Sequence, residues 1–306
     1  MMEQGTNSPR VGRPLIYGEV LFDCFPGGQE VMGGAPFNVA WHLAGLGAMP
    51  LLVSRIGQDP RGEAVLAGMR DWGMDVSGIQ IDAQAPTGQV QIALTGTDHS
   101  FNILPDQAYD RIATESALAA VADSTPALLY CGSLITRNPI AHETLIALQR
   151  ATAAPTFVDI NLRAPWWELA RVETLMRSAT WLKINDDELH ILRGPASSVA
   201  ETEALAAQLR AQFDIAWVIL TRGADGAIYI GEETHRGKPP AVTELIDTIG
   251  AGDAFSAVTI LGLLQGWPKS LTLTRALAFA ARICAQRGAT ESNHALYTEL
   301  REAWGL

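Results

Sequence analysis

Cysteine is scarce in this chain: Cys24, Cys131 and Cys284 are the only three in 306 residues. They are far apart and form no CxxC pair, so neither a disulfide framework nor a thiolate metal site is suggested. Positive charge is scarce too, with 22 basic against 33 acidic side chains and a formal net charge of −11. That balance argues against wholesale nucleic-acid or anionic-membrane binding, because there is no basic surplus to neutralise phosphates. One small phosphorylated ligand remains compatible, since a single site needs only a few donors. No apolar run approaches the ~18 residues of a membrane span. The opening MMEQGTNSPRVGRP lacks the apolar centre of a signal peptide. The expectation is a soluble, cytoplasmic protein, with a flexible tail over 1–13 and one folded domain over 14–306.

Several motifs are also missing. Without GxxxxGK[ST] a P-loop is excluded. Without GxGxxG after the first strand a Rossmann dinucleotide site is disfavoured. His142-Glu143 lacks the second histidine of HExxH, and CGSLI lacks the second glycine of a nucleophile elbow. The six histidines are scattered, which suits surface or packing roles.

What is present is an ordinary globular composition, 48% hydrophobic and 18% charged, in a chain long enough to bury a sizeable core. PLIYGEVLF, PLLVSRIG, ALLYCGS, PTFVDIN, TWLKIN and AWVILTRG read as buried strands. PFNVAWHLAGLG, RGEAVLAGMRDWG, IAHETLIALQRAT and VAETEALAAQLRAQF between them have helical period. This alternation predicts right-handed βαβ units and a doubly wound, mainly parallel sheet flanked by helices. From Gly252 to about Trp304 the chain reads as helical throughout. Two stretches break the rhythm: the glycine-rich DCFPGGQEVMGG, and TGQVQIALTGTDHSFNIL, which alternates like a hairpin turning at TGTDHS. Surface decoration and a small sheet covering a cleft are equally open readings of these two.

The stretch DTIGAGDAFSAVTILGLL carries the sharpest chemical signal. Gly250 and Gly252 permit positive φ, so successive N–H groups can converge. The helix that follows adds the positive end of its dipole, making an anion hole suited to a transferring phosphoryl group. Asp253 at its mouth is either a general base for an attacking hydroxyl or a plain helix N-cap. In KINDDELHIL, Asn185 and Glu188 at i, i+3 share one helix face and offer hard oxygens to a hydrated Mg²⁺. Thr221, Gly223 and Gly226 in TRGADGAIYI make either a close approach to a nucleotide or an ordinary hairpin turn. Asp23 ends the first strand and GGAPFN opens a helix. There Asp23 and Asn38 can hydrogen-bond hydroxyls, while Gly33 and Gly34 leave room for a ring.

In this order, GGAPFNVAWHLAGLG, RIGQDPRG, KINDDE and DTIGAGDAF resemble the ribokinase/PfkB family of carbohydrate kinases over nearly the whole chain. The resemblance implies a ribokinase-like fold with a small β lid, formed here by about 23–34 and 86–105. It also implies ATP as phosphoryl donor, Mg²⁺, and a homodimer pairing through the lid. By position, Asp253 matches the catalytic base and Gly250, Ala251 and Gly252 the anion hole. Asn185 and Glu188 match the Mg²⁺ and phosphate motif, acting through water. Asp23, Gly33, Gly34 and Asn38 match sugar positions, and Thr221, Gly223 and Gly226 the nucleotide turn. Asp247, the Ile249 backbone and Ser292 resemble a monovalent-cation loop for K⁺. DINLRAPWW is similar to a fructokinase stretch and places Arg163 beside phosphate or substrate, although Ile160 stands where fructokinases usually have proline. Trp166 and Trp167 there either line the sugar pocket or pack. The implied activity is transfer of the ATP γ-phosphate to a small sugar, D-fructose foremost. Ribose, 2-keto-3-deoxygluconate, a nucleoside or a non-catalytic regulator of the same fold are the alternatives.

Overall fold

The computed structural model describes residues 12–95, 98–122, 124–241 and 245–306. In chain order the strands are β1 (Pro14–Tyr17), β2 (Leu21–Cys24), β3 (Glu30–Gly33), β4 (Leu51–Gly57), β5 (Ile79–Asp82), β6 (Gly88–Thr95), β7 (Asp98–Ile103), β8 (Leu128–Gly132), β9 (Thr156–Asp159), β10 (Trp181–Asn185), β11 (Trp217–Thr221), β12 (Ala227–Ile230) and β13 (Thr234–Gly237). The helices are α1 (Ala35–Gly45), α2 (Pro60–Asp71), α3 (Thr114–Val121), α4 (Pro139–Thr152), α5 (Leu169–Ser178), α6 (Asp186–Arg193), α7 (Val199–Gln212), α8 (Ala251–Gln265), α9 (Lys269–Ile283) and α10 (His294–Trp304).

Nine strands form the main sheet in the order β13-β12-β11-β10-β9-β8-β1-β4-β5. All neighbours from β11 to β5 run parallel, while β12 and β13 are antiparallel additions at one edge. Strands such as β1, β8 and β9 are buried at every residue, which is why they read as continuous apolar runs rather than alternating ones. One core, on the α3–α7 face, includes Leu129, Leu145, Leu175, Leu189 and Leu209. The other, on the face of α1, α2 and α8–α10, includes Phe37, Met69, Phe255, Phe279 and Tyr297. The strand order reverses at β1, which has β8 on one side and β4 on the other. In such sheets the crevice beyond the carboxyl ends of the strands at the reversal is where ligands bind.

The two stretches that broke the rhythm pair with each other. They form a second sheet of four strands, β3-β2-β6-β7, with β6 and β7 as an antiparallel hairpin. Residues 96 and 97 of the expected turn lie outside the described residues. PLIYGEVLF is therefore two strands in two sheets, not one. The chain leaves the main sheet at Gly18, whose φ of 151° and contact with the Pro36 ring admit no side chain. The C-terminal region is likewise three helices and not a continuous run, interrupted between Ile283 and His294.

Of the tail expected over 1–13, residues 1–11 lie outside the described residues. Arg13, however, is anchored: it donates to Met49 O at 3.0 Å and to Asp75 Oδ2 at 2.5 Å. Among the described residues no helix is long and apolar enough to cross a membrane.

Candidate active site

Four elements converge beyond the carboxyl end of β1. Gly250 is the residue before α8 and holds φ at 80°, a left-handed conformation that glycine adopts cheaply. A side chain there would strike Ala289, with its Cβ 2.5 Å from the Ala289 Cα. Asp253 sits in the first turn of α8, and the capping position belongs to Gly250 with no side-chain cap at all. The N-cap reading of Asp253 is thereby excluded. Instead Asn38, in the first turn of α1, donates from Nδ2 to Asp253 Oδ2 at 2.8 Å, across 215 positions of sequence. Gly33 lies beside them: a Cβ at that position would stand 3.7 Å from both Asn38 Oδ1 and Asp23 Oδ2. Gly34, at φ 107°, presses against Glu19 O, which a Cβ would approach to 2.8 Å. The structure thus brings Asp23, Gly33, Gly34, Asn38 and Asp253 together in one place.

The N–H groups at the start of α8 are arranged less evenly than the motif suggests. Ala251, expected in the anion hole, donates to Thr248 O at 3.3 Å, a long bond. The N–H groups of Gly250 and Gly252 make no such bond among the described residues, so they and the helix dipole are what this end of α8 could offer an anion. Beneath Gly252 lies Lys183, whose Nζ would be 3.4 Å from a Cβ there. Lys183 is buried and ion-paired with Asp159 at 2.7 Å. The same carboxylate accepts from Ser256 Oγ at 2.7 Å and Tyr130 Oη at 3.2 Å. Burial opposes the Lys183 charge, but Asp159 holds its pKa above the ordinary lysine value.

Crowding by protein raises the Asp253 carboxyl to about 7, with the Asp159 charge adding to the effect and the Asn38 hydrogen bond opposing it. Glu19, also raised to about 7 by burial, feels Asp253 as a like charge and Arg137 and Arg163 as opposing ones. Asp23 is raised to about 6, again by burial, with Arg163 as the main counterweight. Arg163 is exposed and is felt by all three carboxyls. A carboxyl tuned near 7 beside an anion hole can take a proton from an attacking hydroxyl at neutral pH.

On the neighbouring strands, Asn185 closes β10 directly opposite Thr221, the last residue of β11. The expectation that Asn185 and Glu188 share a helix face is corrected here: Asn185 is the N-cap of α6. Its Oδ1 accepts from Glu188 N at 2.8 Å, and Glu188 Oε2 accepts from Asn185 N at 3.1 Å. This reciprocal capping box satisfies two orphan N–H groups at the helix start. The other Glu188 oxygen accepts from Leu162 N at 2.9 Å, tying α6 to the loop that carries Arg163. Gly223 and Gly226, at φ 50° and 95°, shape the turn between β11 and β12, which is a hairpin as well as a strand-end turn.

In the cation loop, Asp247 bridges two segments. It accepts from Ile249 N at 3.0 Å and from Gly288 N at 3.2 Å. Ser292 is exposed and makes no hydrogen bond to either Asp247 or Ile249, so the structure joins only two of the three expected members. Trp166 and Trp167 pack against the core, with Arg137 stacked 4.8 Å over the Trp166 ring. Among the described residues no group of three or more His, Cys, Asp or Glu side chains is placed to hold a metal. Glu19, Asp159 and Lys183 were missed from the sequence. Asp159 ends β9 and Glu19 lies two residues past β1, a faint hint, whereas Lys183 sits mid-strand in β10 inside an apolar run.

A family model for pfkB family carbohydrate kinases matches residues 25–296. A fructokinase of Klebsiella pneumoniae is 26% identical over 294 residues, 91% of this chain and 94% of that protein. The fructokinase of Vibrio cholerae, solved with fructose, ADP and calcium, superposes with a TM-score of 0.78 at 26% identity, covering 94% of this chain and 98% of that one. A fructokinase from Xylella fastidiosa with bound ATP gives a TM-score of 0.83 over 96% and 99% of the two chains. At 22% identity, that likeness bears on the fold alone.

Proposed function

This chain belongs to the pfkB family of carbohydrate kinases and is an ATP-dependent sugar kinase, and from that premise we propose that it phosphorylates D-fructose. The observation that carries the chemistry is the Asn38-anchored Asp253 carboxyl, raised to about 7 at the mouth of the α8 N-terminus. Asp253 takes the proton of the attacking hydroxyl as Asn38 fixes the direction of its Oδ2. The Gly250 and Gly252 N–H groups, the α8 dipole and the buried Lys183 charge face the negative charge of the transferring phosphoryl group. Positioning supplies much of the rate, because little covalent chemistry is asked of the protein. Thr221, Gly223 and Gly226 lie beside Asn185, where the nucleotide is proposed to sit. Asp23, Gly33 and Gly34 wall the sugar.

Both Glu188 oxygens already accept backbone N–H groups, so the residues present fit Mg²⁺ only through its waters, with the nucleotide phosphates as direct ligands. The ion would neutralise phosphate charge during transfer. Support for fructose comes from relatives that carry that name and from the DINLRAPWW stretch. One alternative has an observation of its own: exposed Arg163, facing three carboxyls, would also suit an acid sugar such as 2-keto-3-deoxygluconate. A coupled assay of ADP release over fructose, ribose, 2-keto-3-deoxygluconate and nucleosides, with and without K⁺, tests the proposal. Fructose should rank first in kcat/KM; another sugar in first place overturns fructose and leaves the kinase.

A further inference from the structure

Helix α1 does more than carry Asn38. One turn further along, Trp41 and His42 reach the segment between α9 and α10. His42 is fully buried and uses both ring nitrogens, Nε2 with Ala289 O at 2.9 Å and Nδ1 with Tyr297 Oη at 2.7 Å. A carbonyl only accepts, so Nε2 carries the hydrogen and Nδ1 accepts from the Tyr297 hydroxyl. Burial pushes the imidazole down to about 4, which keeps it neutral in neutral solution. Beside it, Trp41 donates from Nε1 to Glu291 O at 2.7 Å and stacks 4.6 Å from the Trp72 ring.

Both bonds fasten a segment that backs the start of α8. Ala289 is buried against Gly250: a Cβ on Gly250 would stand 2.9 Å from Ala289 O, the oxygen that His42 holds. Gly288 N donates to Asp247 Oδ2 at 3.2 Å. Cys284 O accepts from Ile246 N at 2.9 Å and from Asp247 N at 3.2 Å. The chain entering α8 is therefore tied to the segment that α1 grips. Asn38 lies one turn before His42 on the same helix and holds Asp253 Oδ2. One helix thus grips the first turn of α8 twice, directly at Asp253 and through Ala289 at Gly250.

The Gly250 turn has no side-chain cap of its own, so its direction depends on what packs behind it. Misplacing a reacting group by a fraction of a bond length is costly, up to about 10²-fold in rate for 1 Å. We propose that His42, with Trp41 beside it, is a positioning residue for phosphoryl transfer. It holds Ala289 against the Gly250 turn so that the first N–H groups of α8 keep their direction, a role that rests on those groups facing the phosphoryl group as proposed above.

A pair of substitutions in the intact enzyme, assayed with ATP and the sugar it turns over best, tests this. The amide nitrogen of His42→Gln falls as far along the side chain as Nε2 and keeps a donor for Ala289 O. That of His42→Asn falls level with Nδ1 and does not. His42→Asn should lower kcat about tenfold, the worth of one hydrogen bond, with both KM values within about twofold. His42→Gln should recover most of that loss. A merely structural role would lower the thermal midpoint of both variants and leave the kcat of folded enzyme unmoved. Full kcat in His42→Asn, or an equal loss in His42→Gln, overturns the inference while the kinase reading stands. Should both fail to fold, Trp41→Phe keeps the stack on Trp72 and removes the bond to Glu291 O. It should show the same fall in kcat at constant KM, and full kcat there overturns the inference. Nitrogen NMR of the wild type should show His42 protonated at Nε2 alone; a hydrogen on Nδ1 overturns it as well. Wild-type enzyme without sugar-dependent ADP release overturns the kinase reading itself.

Discussion

Because burial lifts the Asp253 carboxyl to about 7, its charged form grows in as the solution passes through neutrality. A general base works only when deprotonated, so kcat/KM is expected to rise with pH through about 7 and then level off. Glu19 titrates in the same range and feels Asp253, so the limb belongs to the pair rather than to either residue. Asp253→Asn should lower kcat by about 10²–10⁴-fold, the range of a lost general base, with little effect on the ATP KM. Steady-state kinetics with both substrates checks this, and near wild-type turnover would remove Asp253 from the role. Lys183 gives a second prediction at this scale. Lys183→Met leaves Asp159 buried and uncompensated, which costs about 3–5 kcal/mol. Urea unfolding of the variant should show that loss. A Lys183→Met/Asp159→Leu double variant should recover much of it, because the stranded charge is gone.

The α8 helix shows how an element serves the site. Its residues from Ala254 to Gly262 are all buried, so packing fixes its axis and hence the direction of its N-terminal N–H groups. Gly250 makes that end possible by turning left-handed in a space that Ala289 closes. Gly250→Ala should therefore destabilise the fold by about 2 kcal/mol or more, since a left-handed alanine alone costs roughly 1–2 kcal/mol and the clash adds to it. It should also reduce kcat more than the sugar KM, because the anion hole shifts while Asp23 and Asn38 stay on other elements. Thermal melts and kinetics of one preparation read both effects. An unaltered kcat would detach the hole from Gly250. The Asn185–Glu188 capping box is the other instructive element. Two residues read as ligands first of all start a helix, and they anchor the Arg163 loop through Leu162.

At the scale of the whole molecule, the site is a cost that the rest of the fold carries. Glu19 and Asp253 are raised to about 7 and Asp23 to about 6, against ordinary values of 4.5, 3.8 and 3.8. Between about pH 5 and 6 the folded protein therefore keeps protons on these three groups that the unfolded chain has released. His42, pushed down to about 4 by burial, works in the opposite sense but is a single group. The folded state binds more protons, so stability should fall as pH rises from about 5 to 7. The thermal midpoint is expected to be lower at pH 7.5 than at 5.5, with the gap narrowed in Glu19→Gln. A midpoint that rises over that interval would contradict the sign. Activity and stability thus run in opposite directions over the same pH window, as expected of charged groups buried for function.

Much of this was legible in the residues. Apolar runs alternating with helical period specify a mainly parallel sheet between helices, and the glycines around Asp253 mark a left-handed turn into a helix. Both signals are local, carried by spacing alone. The Asp253–Asn38 bond was not legible, because it joins positions 215 apart and exists only once α1 and α8 pack. Nor were the split of PLIYGEVLF between two sheets, the anchoring of Arg13, or the Asp159–Lys183 pair under Gly252. In DTIGAGDAF the sequence determined that a carboxylate would stand where helix and glycine amides gather. That this carboxylate is not a cap, only the tertiary structure decided: the capping place belongs to Gly250, burial raises the carboxyl pKa, and an amide 215 positions away holds its Oδ2.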